Sequence, residues 1–173
     1  MAHSTEDYGR WDINQSPFNV GFLAELTEFT ADQVETLVNR LRPDGQTDLS
    51  QTHLSQTSLA QRLMALVGGH PYLVQLAIDE LELKRMTLDQ LLQTAPTHAG
   101  IYAAHLRRHL ETLQQRPALA AAFHQVVSSA QPVRLEAKQG YQLYNMGLVK
   151  REGNFVQPRC QLYGQYFQEH LQV

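Results

Sequence analysis

His105-Leu106-Arg107-Arg108-His109 sets two imidazoles four residues apart, one above the other on a helix, a spacing that can chelate a metal ion. The glutamate that a zinc hydrolase keeps between its paired histidines is missing and no third ligand is evident, so two ordinary histidines are expected and no metal. Cys160 is the only cysteine, which excludes an intrachain disulfide and a multi-cysteine zinc site. A catalytic thiol would need a histidine brought to it by the fold, and Cys160 reads instead as a small buried residue near a helix start. The 173 residues contain no GxxxxGKS or GxxxxGKT. Without that loop there is no cradle for β- and γ-phosphates and no hydroxyl set on Mg²⁺, so no catalytic residue is assigned and an enzyme is not expected.

A different chemistry is possible at Gly68-Gly69-His70-Pro71-Tyr72. Leu59, Leu63, Leu66 and Val67 are spaced as one apolar helix face, Gly68-Gly69 can end that helix in a left-handed residue, and Pro71 suits the first turn of the next. Such a corner turns its first new amides outward and can offer His70, Pro71 and Tyr72 to a flat partner or an anion. A well-made interhelical turn explains the same residues.

Charge is divided unevenly. Residues 1–95 hold 6 Lys and Arg against 13 Asp and Glu, a net of −7, and residues 96–173 hold 8 against 4, a net of +4. The two halves should attract each other or face different partners. Arg134, Lys138, Lys150 and Arg151 form the densest basic group, with Gln139, Gln142 and Asn145 nearby, enough for weak, salt-sensitive contact with DNA but short of a dense basic stripe.

The elements that position these groups are largely helical. Thr30-Ala31-Asp32-Gln33 has the form of a capping box, followed by Val34, Leu37, Val38 and Leu41, which predicts a helix over 31–41. Turn formers crowd residues 1–21, a short extended piece follows near Phe22, and 46–57 reads as a Gln, Thr and Ser loop. Helices are predicted over 58–67, 71–86 and 88–93, the last capped by Thr87, and Pro96 closes this group. Tyr102, Leu106, Leu110 and Leu113 mark another helix, and Pro117 starts one that turns Leu119, Phe123, Val126 and Val127 inward. A short strand at 132–135, a helix over 136–146 packing Tyr141 and Tyr144 beside Ala137, two strands within 148–156 joined at Glu152-Gly153-Asn154, and a last helix carrying Leu162, Tyr163, Tyr166, Phe167 and Leu171 complete the chain. Helix, strand, helix, hairpin is the order of a winged helix. No run approaches a membrane span and the start is not a basic signal peptide, so cytoplasm is the expected location.

Leu66-Val67-Gly68-Gly69-His70-Pro71-Tyr72-Leu73, Asn14-Gln15-Ser16-Pro17-Phe18-Asn19-Val20-Gly21 and Leu91-Leu92-Gln93-Thr94-Ala95-Pro96-Thr97 resemble the C-terminal half of a cyanobacterial-type AAA-like ATPase. The likeness continues through Gly100-Ile101-Tyr102, His105 to Leu110, Met146 to Val149 and Pro158-Arg159-Cys160, and so spans nearly the whole chain. It implies a mainly α fold in three parts: an extended connector (1–29), a helical lid (30–96) and a winged helix with a small β-hairpin (97–173). In the family and in related signal-transduction ATPases the Gly-x-Pro turn opens the lid and its proline packs near the adenine, which makes Gly69, His70 and Pro71 the candidate nucleotide-sensing residues. The P-loop half would lie before Met1. The resemblance therefore implies a regulatory module that has no cofactor unless a core supplies ATP or ADP, with a protein partner, either an ATPase core or itself. The alternative is a small winged-helix DNA-binding regulator using Arg134, Lys138, Lys150 and Arg151.

Overall fold

The computed structural model describes residues 27–40 and 59–172. Its elements run α1 (Ala31–Arg40), α2 (Leu59–Val67), α3 (Pro71–Glu82), α4 (Leu88–Thr94), α5 (Ala103–Gln114), α6 (Pro117–Val127), β1 (Val133–Arg134), α7 (Ala137–Asn145), β2 (Val149–Glu152), β3 (Phe155–Pro158) and α8 (Gln161–His170). The chain is mainly helical with one small antiparallel sheet, as expected. Residues 1–26 of the connector assigned to 1–29, the loop at 46–57 and the start of α2 at Ser58 lie outside the described residues.

Both capping boxes form. Gln33 N–H donates to Thr30 Oγ1 at 3.3 Å while Thr30 N–H donates to Gln33 Oε1 at 2.9 Å, and Thr87 with Gln90 repeats the arrangement at 3.2 and 2.9 Å. Each box satisfies two backbone donors that a helix start leaves without partners and stabilises it by about 1 kcal/mol.

One helix ends sooner than its periodicity suggests. α3 stops at Glu82, four residues short of Met86, because Lys84 takes the left-handed conformation at φ 50°. Arg85 N–H then donates to Glu80 O and Lys84 N–H to Leu81 O, both at 3.1 Å, which is the paired hydrogen bonding of a Schellman ending. An ion pair of 3.0 Å between Arg85 and Glu80 lies over the same turn.

The sheet has the order β1-β3-β2, both pairs antiparallel, with Val133 opposite Val156 and Glu152 opposite Phe155 across the Gly153-Asn154 turn. Strand alternation turns Val133, Val149 and Val156 toward the core, together with Arg151 at the edge, and puts Arg134, Lys150, Glu152 and Phe155 on the other face. β3 runs on to Pro158, two residues beyond the expected end.

α7 corrects another expectation. Tyr141 and Tyr144 were expected to pack, yet they are 57% and 42% exposed, and Ala137 is exposed as well; the inward positions are Gly140, Leu143 and Met146. Gly140 faces Val156 of β3, 3.8 Å from the place of its Cβ, and Leu143 and Met146 are buried on the same side of α7 while its tyrosines are on the other.

A single apolar cluster extends from Val34 and Val38 of α1 to Leu171, continuous across Pro96. α8 packs on α2, α5 and α6, filling the centre with Leu162, Tyr163, Tyr166 and Phe167, and Phe167 meets Phe123 at a ring separation of 5.1 Å. Tyr102, fully buried, donates its hydroxyl to Leu73 O at 3.1 Å and so ties the start of α5 to α3. Truncating an aromatic of this kind costs about 3–5 kcal/mol.

Candidate functional site

The α2–α3 corner is built as its residues require. Gly68 has φ 62° and donates to Met64 O at 2.9 Å, ending α2 in the left-handed region. His70 is the residue before α3, with φ −62° and ψ 113°, and Pro71 follows as the first helical residue.

The corner does not stand open. The segment Thr27–Thr30, which leads into α1, crosses it: Phe29 N–H donates to Gly69 O at 2.8 Å, and a Cβ placed on Gly69 would lie 2.2 Å from Phe29 O. Gly69 is therefore glycine because another backbone lies against it. On its other side the corner meets the β3–α8 junction, where Arg159 O and Cys160 Cβ are each 3.8 Å from the place of a Gly68 Cβ.

Glu28 closes the arrangement. One carboxylate oxygen accepts from Lys150 Nζ at 3.0 Å and the other from Arg159 Nε at 2.9 Å. Burial opposes the ionisation of Glu28, but the hydrogen bonds and charges of Lys150 and Arg159 outweigh it and hold the carboxyl below its ordinary range. Neither Glu28 nor Arg159 figured among the expected site residues. No local pattern marks Glu28, whose partners lie 122 and 131 residues away.

His70 differs from the outward turn histidine expected. Its Nδ1 is buried with no hydrogen-bond partner among the described residues, and its ring stands edge-on to His105 at 5.8 Å. Burial first, and then the charge of Arg159, depress its pKa, so the ring is neutral. Tyr72, half exposed, has its ring tilted against His105 at 5.4 Å. The corner thus presents Tyr72 outward and His70 inward.

His105 and His109 do share a face, with rings 4.7 Å apart, and His105 Nε2 hydrogen-bonds the Tyr163 hydroxyl at 2.7 Å. Burial, together with neighbouring histidines and Arg108, lowers their pKa values to about 3 and about 4. Among the described residues, no group of three or more His, Cys, Asp or Glu is placed to hold a metal ion. Cys160 is buried just before α8, and burial pushes its thiol up to about 11, so no thiolate is at hand near neutral pH.

The four basic residues are not gathered on one surface. Lys150 is taken by Glu28; Arg134 is on the same sheet face with Glu152 nearby, while Arg151 reaches from the opposite face over the Tyr144 ring at 5.9 Å. Lys138 is exposed on α7.

A family model described as an AAA-like domain matches residues 1–169. The chain belongs to the AAA-like domain family. This AAA-like chain matches no curated protein and no solved structure. Among its described residues no helix is long and apolar enough to cross a membrane.

Proposed function

We propose that this AAA-like chain is a regulatory module, equivalent to the lid and winged helix of an ATPase, that works in the cytoplasm by protein contact and performs no hydrolysis itself. The observation that carries this reading is the convergence of three parts at one point: the glycine corner, the segment entering α1, and the β3–α8 junction meet around Gly69 and Glu28. A nucleotide-dependent displacement of any one would be felt by the other two. The order α6, β1, α7, β2, β3, α8, with β2–β3 as the wing, supports the winged-helix assignment, and the lid before Pro96 shares one apolar core with it. Gly69, His70 and Pro71 contact adenine only when a P-loop core is supplied. The partner is such a core or a second copy of the chain.

The test is size-exclusion chromatography of the chain mixed with a P-loop-bearing AAA-like core produced separately, with ADP, with ATP and with neither. A complex whose amount depends on the nucleotide is expected; no association under any condition would reject the reading.

A second reading, DNA binding through α7, draws on the exposed stripe of Lys138, Tyr141 and Tyr144. Glu136 and Glu152 interrupt the basic group and Glu28 neutralises Lys150, so protein contact is favoured. Duplex binding should be weak and fall with salt at a slope of about −0.9 per phosphate neutralised. Nanomolar, sequence-selective binding at physiological salt would favour the DNA reading.

A further inference from the structure

We propose that Thr27–Thr30 is a releasable strap over the α2–α3 corner, and that Glu28 is its latch, held by Lys150 of the hairpin and Arg159 of the β3–α8 junction. The inference stands whether or not the corner meets a nucleotide.

Three features distinguish a latched strap from a segment that is simply packed. First, what holds the strap to its two neighbours is polar: one backbone hydrogen bond from Phe29 to Gly69 and the two-pronged contact of Glu28. Among the described residues only Phe29 adds apolar packing, and it is only partly buried against the core. Second, the ion pairs are partly open to water, with side-chain exposures of 30% for Glu28, 43% for Lys150 and 24% for Arg159. Such pairs are weakened by salt and by competing charges, unlike an apolar contact. Third, one carboxylate serves two cations, so its departure takes from Lys150 and Arg159 together the counter-charge they share among the described residues, while uncovering Gly69. Release would change two surfaces in one step.

The strap has freedom to move without dismantling the core. α1 is anchored separately by Val34 and Val38, and the capping box of Thr30 with Gln33 ties the last residue of the strap to the helix, so that Thr27–Phe29 can lift while Thr30 stays in place. The backbone of Arg159 is fixed independently of Glu28, since its amide N–H donates to Leu148 O at 2.9 Å.

The experiment is amide hydrogen exchange on the whole chain, comparing wild type with Glu28→Gln and, from the other side, Lys150→Gln, at low and high salt. In Glu28→Gln, peptides covering 27–30 and 66–71 should exchange faster by about tenfold, within the range for two partly exposed ion pairs, while peptides from α5 and α6 are unchanged. Lys150→Gln should produce a smaller rise in the same peptides. High salt should accelerate the strap of the wild type and leave that of Glu28→Gln unaltered. Unchanged exchange in 27–30 and 66–71 would overturn the latch, as would a salt-independent strap. A rise spread evenly over α5 and α6 would make Glu28 a general stability residue and would equally overturn it.

Discussion

Phe29 and Gly69 lie backbone against backbone: the Phe29 N–H donates to Gly69 O at 2.8 Å, and Phe29 O occupies space that a Gly69 side chain would need, 2.2 Å from its Cβ. The two adjacent glycines therefore have different duties. Gly68 serves a left-handed φ with ordinary space around it, so Gly68→Ala should cost about 1 kcal/mol. Gly69→Ala must push a backbone segment aside and should cost more, about 2–4 kcal/mol. Urea unfolding of both variants checks the order; equal losses would mean the strap does not lie where it is described.

Stability should depend on pH through His105 and His109. Their folded pKa values, about 3 and about 4, lie below the ordinary 6.5, so the unfolded chain binds protons that the folded chain refuses. Stability is then complete above about pH 6.5 and falls as pH drops toward 4, by up to about 1.4 kcal/mol per pH unit for each histidine. Glu28 acts in the same direction lower down, its contribution being present above 4.5 and lost as pH falls through its depressed folded pKa. Urea unfolding between pH 4.5 and 7.5 should show the slope, and His109→Gln should reduce it. A flat profile would mean the pair titrates freely when folded.

Lys84 holds a left-handed conformation that costs an L-residue about 1 kcal/mol. Lys84→Gly keeps the Schellman hydrogen bonds and should raise stability by up to that amount, about 2–4 °C in thermal unfolding. A lowered midpoint would show that the lysine side chain matters more than its backbone.

Tyr141 and Tyr144 face water, so replacing either with Ala should change stability by no more than about 0.5 kcal/mol. A loss of about 3–5 kcal/mol, as for a core aromatic, would return both residues to the packed role their spacing suggests.

The difference between those tyrosines and Tyr102 shows how far the sequence could be read. Helix positions followed from signals within a few residues: Thr30 with Gln33, Thr87 with Gln90, Pro71 after two glycines, and Pro117 opening α6. Which stripe of a short polar helix faces inward was not local information. In α7 the apolar residues are spaced for either face, and the buried side is the one with Gly140 and Leu143, set by the elements it packs on and not by the helix itself. The end of α3 was hidden because a lysine adopts the conformation that Gly or Asn usually signals. At the corner, the glycines and proline were legible but their covering was not, since Glu28 meets Arg159 over a separation of 131 residues and carries no motif.

The central claim, that this AAA-like chain is a regulatory part and not an ATPase by itself, is tested most directly by calorimetric titration of ATP into the purified chain. With no phosphate loop in the sequence, binding is expected to be no tighter than millimolar, about −4 kcal/mol, as a few adenine contacts allow. Micromolar affinity for ATP in the chain alone would contradict the account.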